Sequence, residues 1–63
     1  MPIIRIEMLQ GRSDEQKEAL IKEVTDAVVK SIAAPPENIT VSIAEFSKTN
    51  WGLGGVTAKK LGR

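Results

Sequence analysis

The residues able to do chemistry in this sequence are few. Its 63 residues include no His, no Cys and no Tyr, so a general base has to be a carboxylate, a lysine or the amino terminus. Thiol catalysis is excluded, and a zinc centre would have to be built from carboxylates alone, an uncommon ligand set. No carboxylate pair stands out. Glu7 and Glu45 each sit alone among apolar or small neighbours, where the ordinary role is a solvated or ion-paired side chain. No glycine fingerprint joins a strand to a helix at dinucleotide spacing, and there is no phosphate loop. What remains is the start of the chain, Met1-Pro2. With Met1 removed, Pro2 carries a secondary amine on a rigid ring, and desolvation or nearby cations make such an amine easier to deprotonate. A base whose pKa lies near working pH is the most useful one. With Met1 retained, the Pro2 nitrogen is an inert amide. By itself a Met-Pro start denotes only a small second residue.

Two other residues qualify as binding groups. Arg12 falls in the turn Gln10-Gly11-Arg12, immediately ahead of a helix start. An arginine there is placed, with the free amides of the first turn, to hold a carboxylate or another anion. On composition alone it is an exposed turn arginine. Trp51 is the only tryptophan, and serves either as an interface anchor or as a pocket wall.

The elements that position these residues are legible. In residues 2–9, Ile4, Ile6 and Met8 recur at period two, while Ile3 and Leu9 flank Arg5 and Glu7 on the other face. An apolar surplus on both faces marks an interior strand. Gly11 supplies the freedom for a tight turn. Ser13-Asp14-Glu15-Gln16 is a capping box, and Leu20, Ile21, Val24, Ala27, Val28 and Ile32 follow as an apolar helical stripe. Glu18 with Lys22 and Asp26 with Lys30 are spaced as i,i+4 ion pairs, and Val29 falls off the stripe as a singly exposed valine. Pro35-Pro36 ends the helix. A second strand is expected at 39–46, with Ile39, Val41, Ile43 and Glu45 on one face and Thr40, Ser42, Ala44 and Phe46 on the other. Strand, helix and strand with short connections imply a right-handed crossover and parallel pairing. Trp51-Gly52-Leu53-Gly54-Gly55 forms a turn or small hairpin, and the basic tail Lys59 to Arg63 reads as a frayed, solvated end.

Sixty-three residues make one domain, 1–63, whose own core is marginal. Two strands cannot form a stable sheet alone, and their open edges invite another chain. Without cysteines, self-association is the expected source of the missing stability. Nine basic and eight acidic residues are interspersed for a net charge of +1, so nucleic acid is a poor partner. No apolar stretch approaches the length needed to span a bilayer, and no signal segment opens the chain. The expectation is a soluble, cytoplasmic protein with no membrane partner.

Pro2-Ile3, Leu9-Gln10-Gly11-Arg12-Ser13-Asp14-Glu15-Gln16-Lys17 and Gly52-Leu53-Gly54-Gly55 together resemble the 4-oxalocrotonate tautomerase family across essentially the full chain. The resemblance implies an α/β (α+β) fold: a β-α-β subunit with parallel strands and a short C-terminal hairpin, its sheet completed by dimerisation, and a homohexamer built as a trimer of dimers. It implies removal of Met1 and an enol-keto tautomerase without cofactor or metal. Pro2 would be the general base that moves a proton between oxygen and carbon in a 2-hydroxydienoate such as 2-hydroxymuconate, or in phenylenolpyruvate. Arg12 would bind a substrate carboxylate, and Trp51 would shape the pocket.

One position departs from that pattern. Where the family has a second arginine on strand 2 to stabilise the developing enolate, this chain has Thr40, which offers a hydrogen bond but no charge. Loss of one preorganised donor to an oxyanion typically costs about 10²- to 10³-fold in turnover. Arg5 is a possible substitute, and an Arg5–Glu7 ion pair is its competing role. Two alternative functions follow: a weakly active or non-catalytic assembly subunit of a mixed hexamer, or a hydratase or dehalogenase branch member. The latter needs an acid to activate water, and none occurs between Ser47 and Arg63.

Overall fold

In the computed structural model, which describes residues 1–63, strand β1 (Ile3–Leu9) leads into helix α1 (Asp14–Ile32) and strand β2 (Thr40–Phe46). A hairpin of β3 (Gly52–Leu53) and β4 (Val56–Thr57) and a short helix α2 (Ala58–Leu61) follow. β1 and β2 pair in parallel, with Ile3 opposite Thr40 and Leu9 opposite Phe46. This is the expected β-α-β subunit with a C-terminal hairpin. Each long strand begins one residue later than the apolar pattern alone suggests, because Pro2 has no N–H to give a ladder.

Local chemistry accounts for the boundaries. The Ser13 hydroxyl accepts from the Gln16 amide at 3.1 Å, and the Gln16 side chain accepts from the Ser13 amide at 2.9 Å, closing the capping box that the sequence announced. Asp14 and Glu15 occupy the first turn, where the dipole favours negative charge. The helix ends on Ala33, a left-handed residue at φ 56° whose N–H bonds the Val29 carbonyl. Gly54 and Gly55, at φ 60° and 84°, both adopt the positive φ that a two-residue hairpin turn of matching twist demands.

Four details differ from the sequence expectation. Of the apolar stripe on α1, Leu20, Val24 and Val28 are half-buried, but Ala27, Ile21 and Ile32 are exposed, Ile32 at 61%. Two strands about 4.8 Å apart make a sheet too narrow to cover the whole stripe. Val29, expected outside it, is half-buried. The ion pairs within α1 are Asp14–Lys17 at 3.7 Å and Lys22–Asp26 at 2.9 Å, and neither Glu18–Lys22 nor Asp26–Lys30 forms. Finally, the basic tail is not frayed. The Thr57 hydroxyl accepts from the Lys60 amide, Gly62 turns left-handed, and the Arg63 amide bonds the Ala58 carbonyl at 3.0 Å.

The chain on its own has almost no interior. Ala58 is its one buried residue, and Ile3 remains 53% exposed. Its surface of 4810 Å² exceeds the roughly 4,000 Å² of a compact monomer of this mass. Its radius of gyration is 14.7 Å, against about 11 Å for a compact chain of this length. The residues after β2 pack mainly among themselves. The open edges of the β1–β2 sheet, the uncovered half of the helix stripe and this projecting C-terminal unit are the surfaces that the single chain leaves without a partner.

Candidate active site

Pro2 and Thr40 meet at one end of the sheet. The Thr40 amide donates to the Pro2 carbonyl at 3.1 Å, so Pro2 is fixed by the first rung of the ladder. Pro2 is half-buried, while Met1 beyond it is 81% exposed and packs into nothing that would hold it. Arg5, opposite Ser42 in the register, lies on the same helix-free face as Thr40. It forms no ion pair with Glu7, which removes the competing role for its charge.

Arg12 and Trp51 lie at the opposite end. Gln10 donates its amide to the Phe46 carbonyl at 2.9 Å, and Gly11 then turns at φ 132°, a backbone that residues with a Cβ rarely adopt. Arg12 follows, exposed and engaged in none of the chain's ion pairs. It borders a groove of about 210 Å³ with Met8, Gln16, Lys17 and Leu20, an apolar floor under a cationic rim. Trp51 is half-buried, its ring 5.6 Å from that of Phe46 and tilted by 54°, within the range of favourable aromatic packing. Its carbonyl accepts from the Ala58 amide at 2.7 Å, which anchors the tryptophan backbone to the start of α2.

One chain therefore does not bring the four candidate residues together. β1 separates Pro2 and Thr40 from Arg12 and Trp51 by about 20 Å at its rise per residue. Each end holds half of the candidate set: Pro2 pinned by the Thr40 amide at one, and at the other an Arg12 free of ion pairs at the rim of a groove, with Trp51 packed on Phe46 at the end of β2.

Sequence reasoning overlooked the link at the second end. Lys17 donates to the Glu45 carboxylate at 2.9 Å, both side chains only about a quarter exposed, at 27% and 25%. The Glu45 hydrogen bond, chiefly, holds the Lys17 ammonium above its ordinary pKa of 10.5. The signal was available, since Lys17 precedes Leu20, Val24 and Val28 at helical spacing and Glu45 continues the Val41–Ile43 face.

The model of the family described as tautomerase enzyme matches residues 2–60 of the sequence. The chain belongs to the tautomerase family. This tautomerase is 52% identical to the 2-hydroxymuconate tautomerase of Comamonas testosteroni over 63 residues, the full length of both chains. It is 55% identical to a probable tautomerase of Listeria innocua over 56 residues, 89% of this chain and 92% of that one. Among solved structures it superposes on a 4-oxalocrotonate tautomerase isozyme of Methylibium petroleiphilum with a TM-score of 0.91 at 48% identity, covering 98% of this chain and 100% of that one. A heterohexameric 4-oxalocrotonate tautomerase of Chloroflexus aurantiacus gives 0.90 at 34% identity, covering 97% and 98%. Together these place the tautomerase in the 4-oxalocrotonate tautomerase family, as an isomerase with the fold that the sequence predicts. No helix is long and apolar enough to cross a membrane.

Proposed function

We propose that this tautomerase shuttles a proton between oxygen and carbon in 2-hydroxydienoate-type acids, of the 2-hydroxymuconate or phenylenolpyruvate kind, with Pro2 as general base once Met1 has been removed. The observation that carries the reading is the hydrogen bond from Thr40 to the Pro2 carbonyl. It gives the ring nitrogen a fixed direction, and a positioned base contributes about 10²- to 10⁴-fold. The Pro2 amine takes the enol proton, the electron pair of the O–H bond becomes the carbonyl, and the prolinium returns a proton to carbon. No cofactor or metal enters this scheme.

In this reading Arg12 holds the substrate carboxylate, Trp51 walls the pocket and Thr40 donates one hydrogen bond to the developing enolate oxygen. Because Pro2 and Arg12 sit at opposite ends of β1, the working site draws Pro2 and Thr40 from one subunit and Arg12 with Trp51 from another. Assembly is thus a condition of catalysis, and a cytoplasmic homohexamer arranged as a trimer of dimers is the form proposed. Two retained features support it: the surface left uncovered in the single chain and the unpaired sheet edges.

A second reading, a weakly active subunit of a mixed hexamer, is favoured by Thr40 and by the likeness to the Chloroflexus aurantiacus heterohexamer. Absorbance assays with 2-hydroxymuconate and phenylenolpyruvate on the chain purified alone separate the two. The leading reading expects turnover from an assembled homo-oligomer whose intact mass lacks Met1, and a loss of about 10²-fold or more with Pro2→Ala. Unchanged rates in Pro2→Ala sink the proline mechanism, and an inert chain favours the mixed hexamer.

A further inference from the structure

The turn that carries Arg12 is tied to β2 on both sides. Before it, the Gln10 amide bonds the Phe46 carbonyl at 2.9 Å. After it, the Lys17 ammonium bonds the Glu45 carboxylate at 2.9 Å. Glu45 and Phe46 are consecutive, so the segment between Gln10 and Lys17 is a loop closed on a single point of β2, with Arg12 inside it. The capping box stiffens the same loop from within. Of the three ion pairs, Lys17–Glu45 alone joins two elements, the others lying within α1. Lys17 also borders the groove beside Arg12. The strand end that receives both ties is the one whose next ring, Phe46, packs on Trp51.

We propose that Lys17 and Glu45 are positioning residues for the carboxylate anchor: their ion pair fixes the turn that holds the Arg12 guanidinium at the rim of the groove. The inference rests on the reading of Arg12 as that anchor. A guanidinium captures a carboxylate through two parallel hydrogen bonds, whose geometry is specific. A shift of about 1 Å in such a group can cost as much as 10²-fold. With Glu45 neutral, the one charged partner left to Lys17 is the exposed Asp14 at 3.7 Å, on its own helix, which ties α1 to nothing. The Arg12 turn then hangs on the single backbone bond from Gln10.

The test uses the assembled protein without Met1 and phenylenolpyruvate as a monoacid probe, with KM and kcat measured for Lys17→Met, Glu45→Gln, Lys17→Arg, Arg12→Ala and the Arg12→Ala/Lys17→Met double variant. Expected are a KM raised about tenfold in Lys17→Met and Glu45→Gln with kcat little changed, recovery in Lys17→Arg, and no further rise when Lys17→Met is added to Arg12→Ala. Should Lys17→Met fail to assemble, Glu45→Gln carries the same comparison, since it keeps the volume and an acceptor. A KM untouched by Glu45→Gln overturns the proposal, and so does a Lys17→Met effect of full size on the Arg12→Ala background. If Arg12→Ala itself leaves KM unchanged, the anchor reading has failed, and this inference with it.

Discussion

Thr40 lies directly opposite Ile3 in the parallel register and donates its backbone amide to the carbonyl of Pro2. Any residue but proline can make that bond, so the side chain at position 40 is free to vary without loosening Pro2. Thr40→Arg is therefore expected to leave assembly intact and to add a cation beside the proposed base. Turnover of the diacid 2-hydroxymuconate should rise by about 10²-fold, the low end of the effect of one oxyanion donor, and by more than turnover of phenylenolpyruvate. Equal or lower diacid rates in the paired absorbance assays would show that charge at position 40 is not what limits this chain. Arg5 is the only cation on the helix-free face. If it already supplies the missing charge, Arg5→Gln depresses the diacid rate selectively.

Two backbone positions predict stability changes of opposite sign. Gly11 sits at φ 132° with open space around the place of a Cβ, so the cost of Gly11→Ala is conformational, of order 1–3 kcal/mol. Ala33, a non-glycine at φ 56°, carries strain that glycine relieves. Ala33→Gly is expected to stabilise by up to about 1 kcal/mol, the left-handed penalty of a Cβ less the greater chain entropy of glycine. Denaturant midpoints of the assembled protein at one fixed concentration check both.

The Lys17–Glu45 pair gives stability a dependence on alkaline pH. The Lys17 pKa is raised above 10.5 chiefly by the hydrogen bond to Glu45, which outweighs the opposing desolvation, with smaller contributions from the charges of Glu45 and Asp14. A raised pKa means that the folded state holds this proton more tightly than the unfolded chain does. The contribution is complete below 10.5 and is lost as pH climbs through the raised value. The Tm difference between the wild type and Lys17→Met should be constant from pH 7 to 9 and shrink above 10.5. A difference that stays flat at high pH assigns it to packing of the lysine stem instead.

With one buried residue in the single chain, folding should be inseparable from assembly. The denaturation midpoint is expected to rise with protein concentration, and light scattering should find no stable folded monomer. Placing a charge in the uncovered stripe, as in Ile32→Glu, should reduce assembly and activity together. A concentration-independent midpoint would contradict this.

Much of this is legible in the sequence. The period-two run of Ile4, Ile6 and Met8, the Ser13/Gln16 capping box and the Gly54-Gly55 turn are local signals, each decided by neighbours a few residues away. They placed β1 and the start of α1 to within a residue and located the hairpin turn. The candidate residues Pro2, Arg12, Thr40 and Trp51 were also named from sequence, by elimination and by likeness. The signals that misled were those that depend on what lies across space. The i,i+4 charges on α1 offered several pairings of similar strength, and the apolar stripe promised more burial than a two-stranded sheet can give.

The sequence by itself determined the elements, their order and the inventory of chemistry, because helix caps, strand parity and the absence of His, Cys and Tyr are properties of short stretches or of composition. Only the tertiary structure decided which groups meet. The Ile3–Thr40 register set Thr40 beside Pro2, and the Leu9–Phe46 pairing carried Arg12 and Trp51 to the far end of the same strands. Lys17 and Glu45, 28 positions apart, became partners across the helix–sheet seam. Those relations depend on parallel pairing through a crossover, and a parallel register is set by long-range packing, which no local stretch of the chain encodes.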